Sequence, residues 1–147
     1  PELLRSLGAL EAAGPLDLAR AIDGALRQSH RPGLLAVFSD FFDGGPVLAA
    51  LARARAAGHD LALVQVLARE EVEPQLEGDL LLVDAETDAT VEVTADAAAL
   101  EAYARRLAGL CDELRAFARR QGATYLRVVA GEPLEDVMRR LVNRAID

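Results

Sequence analysis

The sequence predicts an α/β fold: a mostly parallel sheet with flanking helices and an inserted β-hairpin. Three observations carry this. The continuous apolar run 34–38 reads as a strand buried on both faces, as in a parallel sheet, and residues 60–68, "DLALVQVLA", read as a second buried strand. A helical segment lies between them, so residues 34–68 spell strand, loop, helix, strand: one βαβ unit, whose crossover is expected to be right-handed. Two short strand patterns then follow at hairpin spacing before the helical rhythm returns.

In chain order, Leu3, Leu4, Leu7 and Leu10 recur at helical spacing until Gly14. The segment "GPLDLARAIDGAL" reads as a helix start, with Pro15 in the first turn and Asp17 placing negative charge at the N-terminus. Leu18, Ala21, Ile22, Ala25 and Leu26 form its apolar face. "HRPG" (His30 to Gly33) is a turn into the first strand, which ends at Ser39-Asp40. "FFDGG" reads as a loop, Pro46 starts the next helix and Gly58 closes it.

After the 60–68 strand, "REEVEPQLEG" reads as an acidic loop. "DLLLVD" and "ATVEVT" form the hairpin, and the alternation of Val91 and Val93 with Glu92 and Thr94 gives it one wet face. A long helix over about 97–121 places Leu100, Tyr103, Leu107, Leu110, Cys111, Leu114, Phe117 and Ala118 on one face, and Gly122 ends it. "TYLRVV" is the last strand. The final helix carries Glu135 and Asp136 early and Arg139, Arg140 and Arg144 late, matching the helix dipole.

The 147 residues are a one-domain length, and 52% hydrophobic content supplies a real core. No apolar run approaches the roughly 20 residues needed to span a bilayer, and the opening residues show no signal-peptide pattern. The chain does not begin with Met. Net charge is −8, and every basic residue is Arg, interspersed with acids along helices, as at Arg105, Arg106, Glu113 and Arg115. That pattern is a solvated helix surface and argues against nucleic-acid binding. One cysteine, Cys111, precludes an internal disulfide or a cysteine metal cluster, and a reducing cytoplasm is the expected location.

The most informative residues are "AVFSDFFDGG". A hydrophobic strand delivers Asp40 to its C-terminal end, the side of an open parallel sheet where ligands sit. Asp40 and Asp43 stand there for a cation or a partner; the alternative is that Asp40 only bonds loop amides and caps the turn. Phe41 and Phe42 follow the strand end, where two adjacent aromatics do not both enter a core easily. Asp40, Phe41, Phe42 and Asp43 are therefore the candidate partner-binding residues.

"RPGLLAVFSDFFD", then "GHDLALVQVLAREEVEPQLEGDLLLVDAETDATVEV", then a Tyr-bearing long helix and "ATYLRVVAGEPLEDVMRRLV" together resemble domain of unknown function 58, a von Willebrand A-like family whose members often accompany MoxR-type AAA+ ATPases. The resemblance runs from about Leu16 to Ala145. It implies a Rossmann-like sandwich, of which residues 1–147 form the C-terminal part as a single domain. It also implies a metal-ion-dependent adhesion site built from an Asp-x-Ser-x-Ser motif, a Thr and a later strand-end Asp, an oxygen set suited to Mg²⁺. This chain departs from that pattern. Asp-x-Ser-x-Ser is absent and by family order belongs upstream of Pro1, and Leu16 stands where the Thr is expected. Asp40 alone matches, an incomplete metal site, so no cofactor is expected unless an upstream motif completes it. In the family's architecture strand 34–39 is central. Without its upstream neighbour it exposes an unpaired edge, which predicts a homodimer through strand 34–39.

His30 and His59 read as surface turn residues, Cys111 as a buried inert thiol, and Tyr103 and Tyr125 as core or rim aromatics. The acidic stretch of Glu70, Glu71, Glu73, Glu77 and Asp79 reads as a solvated loop; the alternative is a docking surface for an Arg-rich partner. The expected function is a non-enzymatic protein-interaction module, accessory to a MoxR-type AAA+ ATPase in assembling complexes. The alternative is a Mg²⁺-dependent hydrolase or phosphatase using Asp40. It is disfavoured because the chain has no Lys for phosphate charge, no Gly-rich phosphate loop and no Ser-His-Asp arrangement.

Overall fold

The computed structural model describes residues 2–9, 16–29, 31–84 and 89–146. His30, Gly14 and Pro15, and the "AETD" hairpin connection after Asp84, lie outside the described residues. In order the elements are α1 (Glu2–Gly8), α2 (Leu18–Gln28), β1 (Leu34–Ser39), α3 (Gly44–Ala56), β2 (Asp60–Leu67), α4 (Arg69–Val72), β3 (Gly78–Val83), β4 (Thr90–Ala95), α5 (Ala97–Gln121), β5 (Thr124–Val129) and α6 (Leu134–Ile146). No helix among the described residues is long and apolar enough to cross a membrane.

The main sheet is parallel and three-stranded, in the order β1-β2-β5. Registers Val37↔Leu63 and Leu63↔Tyr125 align the three strands, so the row Ser39–Gln65–Arg127 crosses their C-terminal ends. β3 and β4 form a separate antiparallel ribbon between β2 and α5, as the hairpin spacing predicts.

Because side chains alternate along a strand, Val37, Leu63 and Tyr125 share one sheet face. There they join Leu51 and Ala54 of α3, Leu114, Phe117 and Ala118 of α5, and Ile22 of α2 in one core. On the opposite face Val64 and Leu126 are buried, and α6 packs against β5. That cover stops short of β1, where Leu34, Ala36 and Phe38 are exposed. The expectation that strand 34–38 is buried on both faces is thus corrected: among the described residues β1 is an edge strand of the sheet, and β2 is its buried centre. An apolar run states what a strand can bury, whereas its neighbours decide what it does bury.

Local chemistry sets the ends of the helices. Asp17 caps α2 by accepting from the Arg20 amide at 2.9 Å, so the helix starts at Leu18. Asp96 caps α5 through the Ala99 amide at 2.7 Å, and Gly122 closes it at φ 62°, a left-handed conformation that costs glycine no Cβ clash. Two further expectations change. Part of the acidic loop is the short helix α4, whose first turn is fixed by Glu71 accepting from the Ala68 amide at 2.6 Å. His59 is buried rather than a surface turn residue, and its Nδ1 accepts from the Gly33 amide at 3.2 Å, tying the segments that enter β1 and β2 together.

Candidate functional site at the sheet rim

The loop from β1 to α3 is built by its own short polar bonds. Ser39 Oγ accepts from the Phe41 amide at 3.0 Å, and Asp40 Oδ1 accepts from the Phe42 amide at 3.0 Å. These bonds turn the chain so sharply that Phe41 takes φ 63° without being glycine. Such a conformation costs roughly 1–2 kcal/mol. The buried ring offsets it: Phe41 is 1% exposed and joins the core of β1, α3 and α5.

Phe41 is therefore corrected from a partner-contacting residue to the anchor of the loop. Phe42, pointing the other way, is 48% exposed. Asp40 and Asp43 line a hollow of about 220 Å³ together with Leu16 and Phe38, while Phe42 borders a different hollow with Tyr103 and Arg106 of α5. Of the four predicted residues, the structure brings Asp40 and Asp43 together, sets Phe42 on the far side of the loop, and removes Phe41 from the surface.

Gln65 holds this loop to the sheet, and sequence reasoning missed it. It is 0% exposed. Its Nε2 donates to the Asp40 carbonyl at 3.0 Å; its Oε1 accepts from Tyr125 Oη at 2.7 Å and from Cys111 Sγ at 3.4 Å. The signal was present: Gln65 is the one polar residue inside the apolar run 61–68. A buried amide there needs several partners, and it finds them on the rim loop, β5 and α5. Burial, with Cys111 beside it, pushes the Tyr125 hydroxyl up to about 12, against the partial counter-effect of Arg115 and Arg127. Tyr103, at the other end of the rim, donates to the Glu71 carbonyl at 2.8 Å, and burial raises its hydroxyl too. Both tyrosines are thus structural at the rim, and Cys111 is a buried thiol.

The donor set around Asp40 does not fit Mg²⁺. Asp40 already accepts a backbone amide, Ser39 Oγ accepts another, and Leu16 contributes only hydrocarbon to the hollow. Among the described residues no three His, Cys, Asp or Glu side chains are placed to share a metal ion. The six or more oxygens that such cations favour are not assembled.

The family model described as "Protein of unknown function DUF58" matches residues 2–113, which takes in β1, β2, the rim loop, the hairpin and most of α5. The chain belongs to that family. This DUF58 chain is 34% identical over 131 residues to an uncharacterized protein of Mycobacterium tuberculosis, covering 87% of this chain and 40% of that protein. It is 38% identical over 97 residues to an uncharacterized protein of Mycobacterium avium, covering 63% of this chain and 54% of that protein. The chain thus spans about half, or less, of the length of these relatives. A solved structure, the conserved hypothetical protein BatB from Bacteroides thetaiotaomicron, aligns to this DUF58 chain with a TM-score of 0.46 at 15% identity, over 95% of this chain and 64% of that one.

Proposed function

We propose that this DUF58 chain is a non-enzymatic protein-interaction module, the C-terminal part of a von Willebrand A-like domain. In this reading it acts in the cytoplasm beside a MoxR-type AAA+ ATPase and docks a partner protein at the sheet rim. One observation carries the reading: Phe38, 66% exposed, and Leu16 stand open in the same hollow as Asp40 and Asp43. Large apolar side chains exposed together beside charges are what interaction surfaces present. Aromatic residues supply much of the binding energy at such surfaces. The start of the loop is held in place, since Gln65 bonds the Asp40 carbonyl and the adjoining Phe41 ring is buried in the core.

The test is co-purification with a MoxR-type ATPase from the same genome. Phe38→Asp and Asp40→Ala are each expected to abolish capture; Phe38→Asp leaves the far-UV circular dichroism melt unchanged, because its side chain is exposed, whereas Asp40→Ala lowers it by the bond lost from the Phe42 amide, about 1 kcal/mol. Full capture by both variants overturns the reading. So does Mg²⁺-dependent phosphatase activity that disappears in Asp40→Asn, which would make Asp40 a reacting group.

A further inference from the structure

Charge in this chain is sharply segregated. Between Arg69 and Arg105 there is no Arg, Lys or His, while 11 of the 24 Asp and Glu residues fall there. The remainder of the sequence is slightly basic. That acidic stretch contains the β3–β4 ribbon, and none of the ion pairs among the described residues reaches the ribbon.

The ribbon itself is two-sided. Register Leu80↔Val93 and Leu82↔Val91 puts four apolar side chains on one face. At its inner end Ala95 is buried and Leu80 and Val93 are half-buried; at its outer end Leu82 and Val91 are exposed. The other face sets Asp79 and Glu92 beside Leu81 and Val83, all exposed. Thr94 Oγ donates to Asp79 Oδ1 at 2.7 Å, which holds that carboxylate in place on its face. Among the described residues β3 and β4 pair only with each other. A two-stranded ribbon is marginal in water, and a third strand is what secures such a face.

We propose that the β3–β4 ribbon accepts a basic, extended segment of a partner protein as an added strand, one in which apolar residues alternate with Arg or Lys. The alternation follows from geometry. An added strand sends every second side chain over the Leu82–Val91 face and the others beside Asp79 and Glu92, so the two faces demand two chemistries at period two. A second copy of this chain is the poorer occupant, because it brings the same acidic stretch against itself, and like charges placed opposite one another destabilise a sheet. This surface is separate from the rim around Asp40 and does not rest on the function proposed for that rim.

A fluorescein-labelled peptide of alternating Val and Arg, about eight residues long, is titrated with the full chain and followed by anisotropy. A matched Val/Glu peptide is the control. The Val/Arg peptide is expected to bind, more weakly as salt rises, and the Val/Glu peptide not to bind. Glu92→Arg, at an exposed position, is expected to weaken Val/Arg binding about tenfold and to admit the Val/Glu peptide. Phe38→Asp is expected to bind the Val/Arg peptide as the parent does, which separates this surface from the rim. New amide-exchange protection on β3 or β4 in the complex marks strand addition. The proposal is overturned by absence of Val/Arg binding, by unchanged binding in Glu92→Arg, by binding without added protection, or by a ribbon-mediated dimer in sedimentation that excludes the peptide.

Discussion

Replacing Gln65 with Leu tests how the rim is held. The side chain is fully buried, so Leu keeps most of the volume and little cavity is expected. What is lost is polar pairing: the Asp40 carbonyl loses its 3.0 Å donor, and the Tyr125 hydroxyl loses its 2.7 Å acceptor. Leaving a buried polar group without its partner costs about 1–3 kcal/mol, so the two together put the loss at about 2–6 kcal/mol. For a chain of this size that is a fall in Tm of about 6–20 °C. Urea denaturation followed by circular dichroism measures it. Tyr125→Phe removes one of the two groups that lose Gln65, so the double variant should be more stable than the sum of the singles predicts, by about 1–2 kcal/mol. A loss below about 0.5 kcal/mol in Gln65→Leu, or strict additivity with Tyr125→Phe, refutes the view that this amide clamps the loop.

Other outcomes follow from the same geometry. Phe41→Ala should cost about 3–5 kcal/mol for the lost ring. Phe41→Gly should be about 1 kcal/mol more stable than Phe41→Ala, reversing the usual order, because glycine adopts φ 63° without strain; denaturation midpoints decide it. Tyr125 titrates near 12 when folded against an ordinary 10.0, so its contribution is complete below about pH 10 and lost as pH rises toward 12. Tyr125→Phe should flatten that alkaline limb in pH-dependent melts. Asp23 is held below its ordinary 3.8 by its hydrogen bond to Arg53, so its contribution is present above that value and lost as pH falls through the lowered one; Asp23→Asn should remove that part of the acid limb. The open side of β1 also leads us to expect concentration-dependent dimers through strand 34–39 in sedimentation velocity, dispersed by Phe38→Asp. A single monomeric species at all concentrations refutes that use of the edge.

Much of the fold was legible because it depends on local pattern. The apolar runs at 34–38 and 60–68, the one-sided stripe from Leu100 to Ala118 and the Gly122 stop are each written in adjacent residues, and the strands and long helix fall where those patterns place them. The site was only half legible. Asp40 at a strand end is a local feature. Whether Phe41 or Phe42 turned inward depended on the loop bonds of Ser39 and Asp40, which no periodicity encodes. Gln65 and His59 are buried because distant segments bring them partners, and β1 is open because cover from β5 and α6 ends before reaching it. These are properties of the assembled neighbours rather than of the run itself.

The Gln65 clamp also bears on the order of assembly. β1, α3 and β2 lie close together along the chain, so their contacts close short loops and can form early. Tyr125, which completes the bonding of Gln65, arrives only after the ribbon and the long helix have been traversed. On a chain emerging from the ribosome, the Asp40 turn can thus bond Gln65 well before Tyr125 arrives to satisfy the other end of that amide.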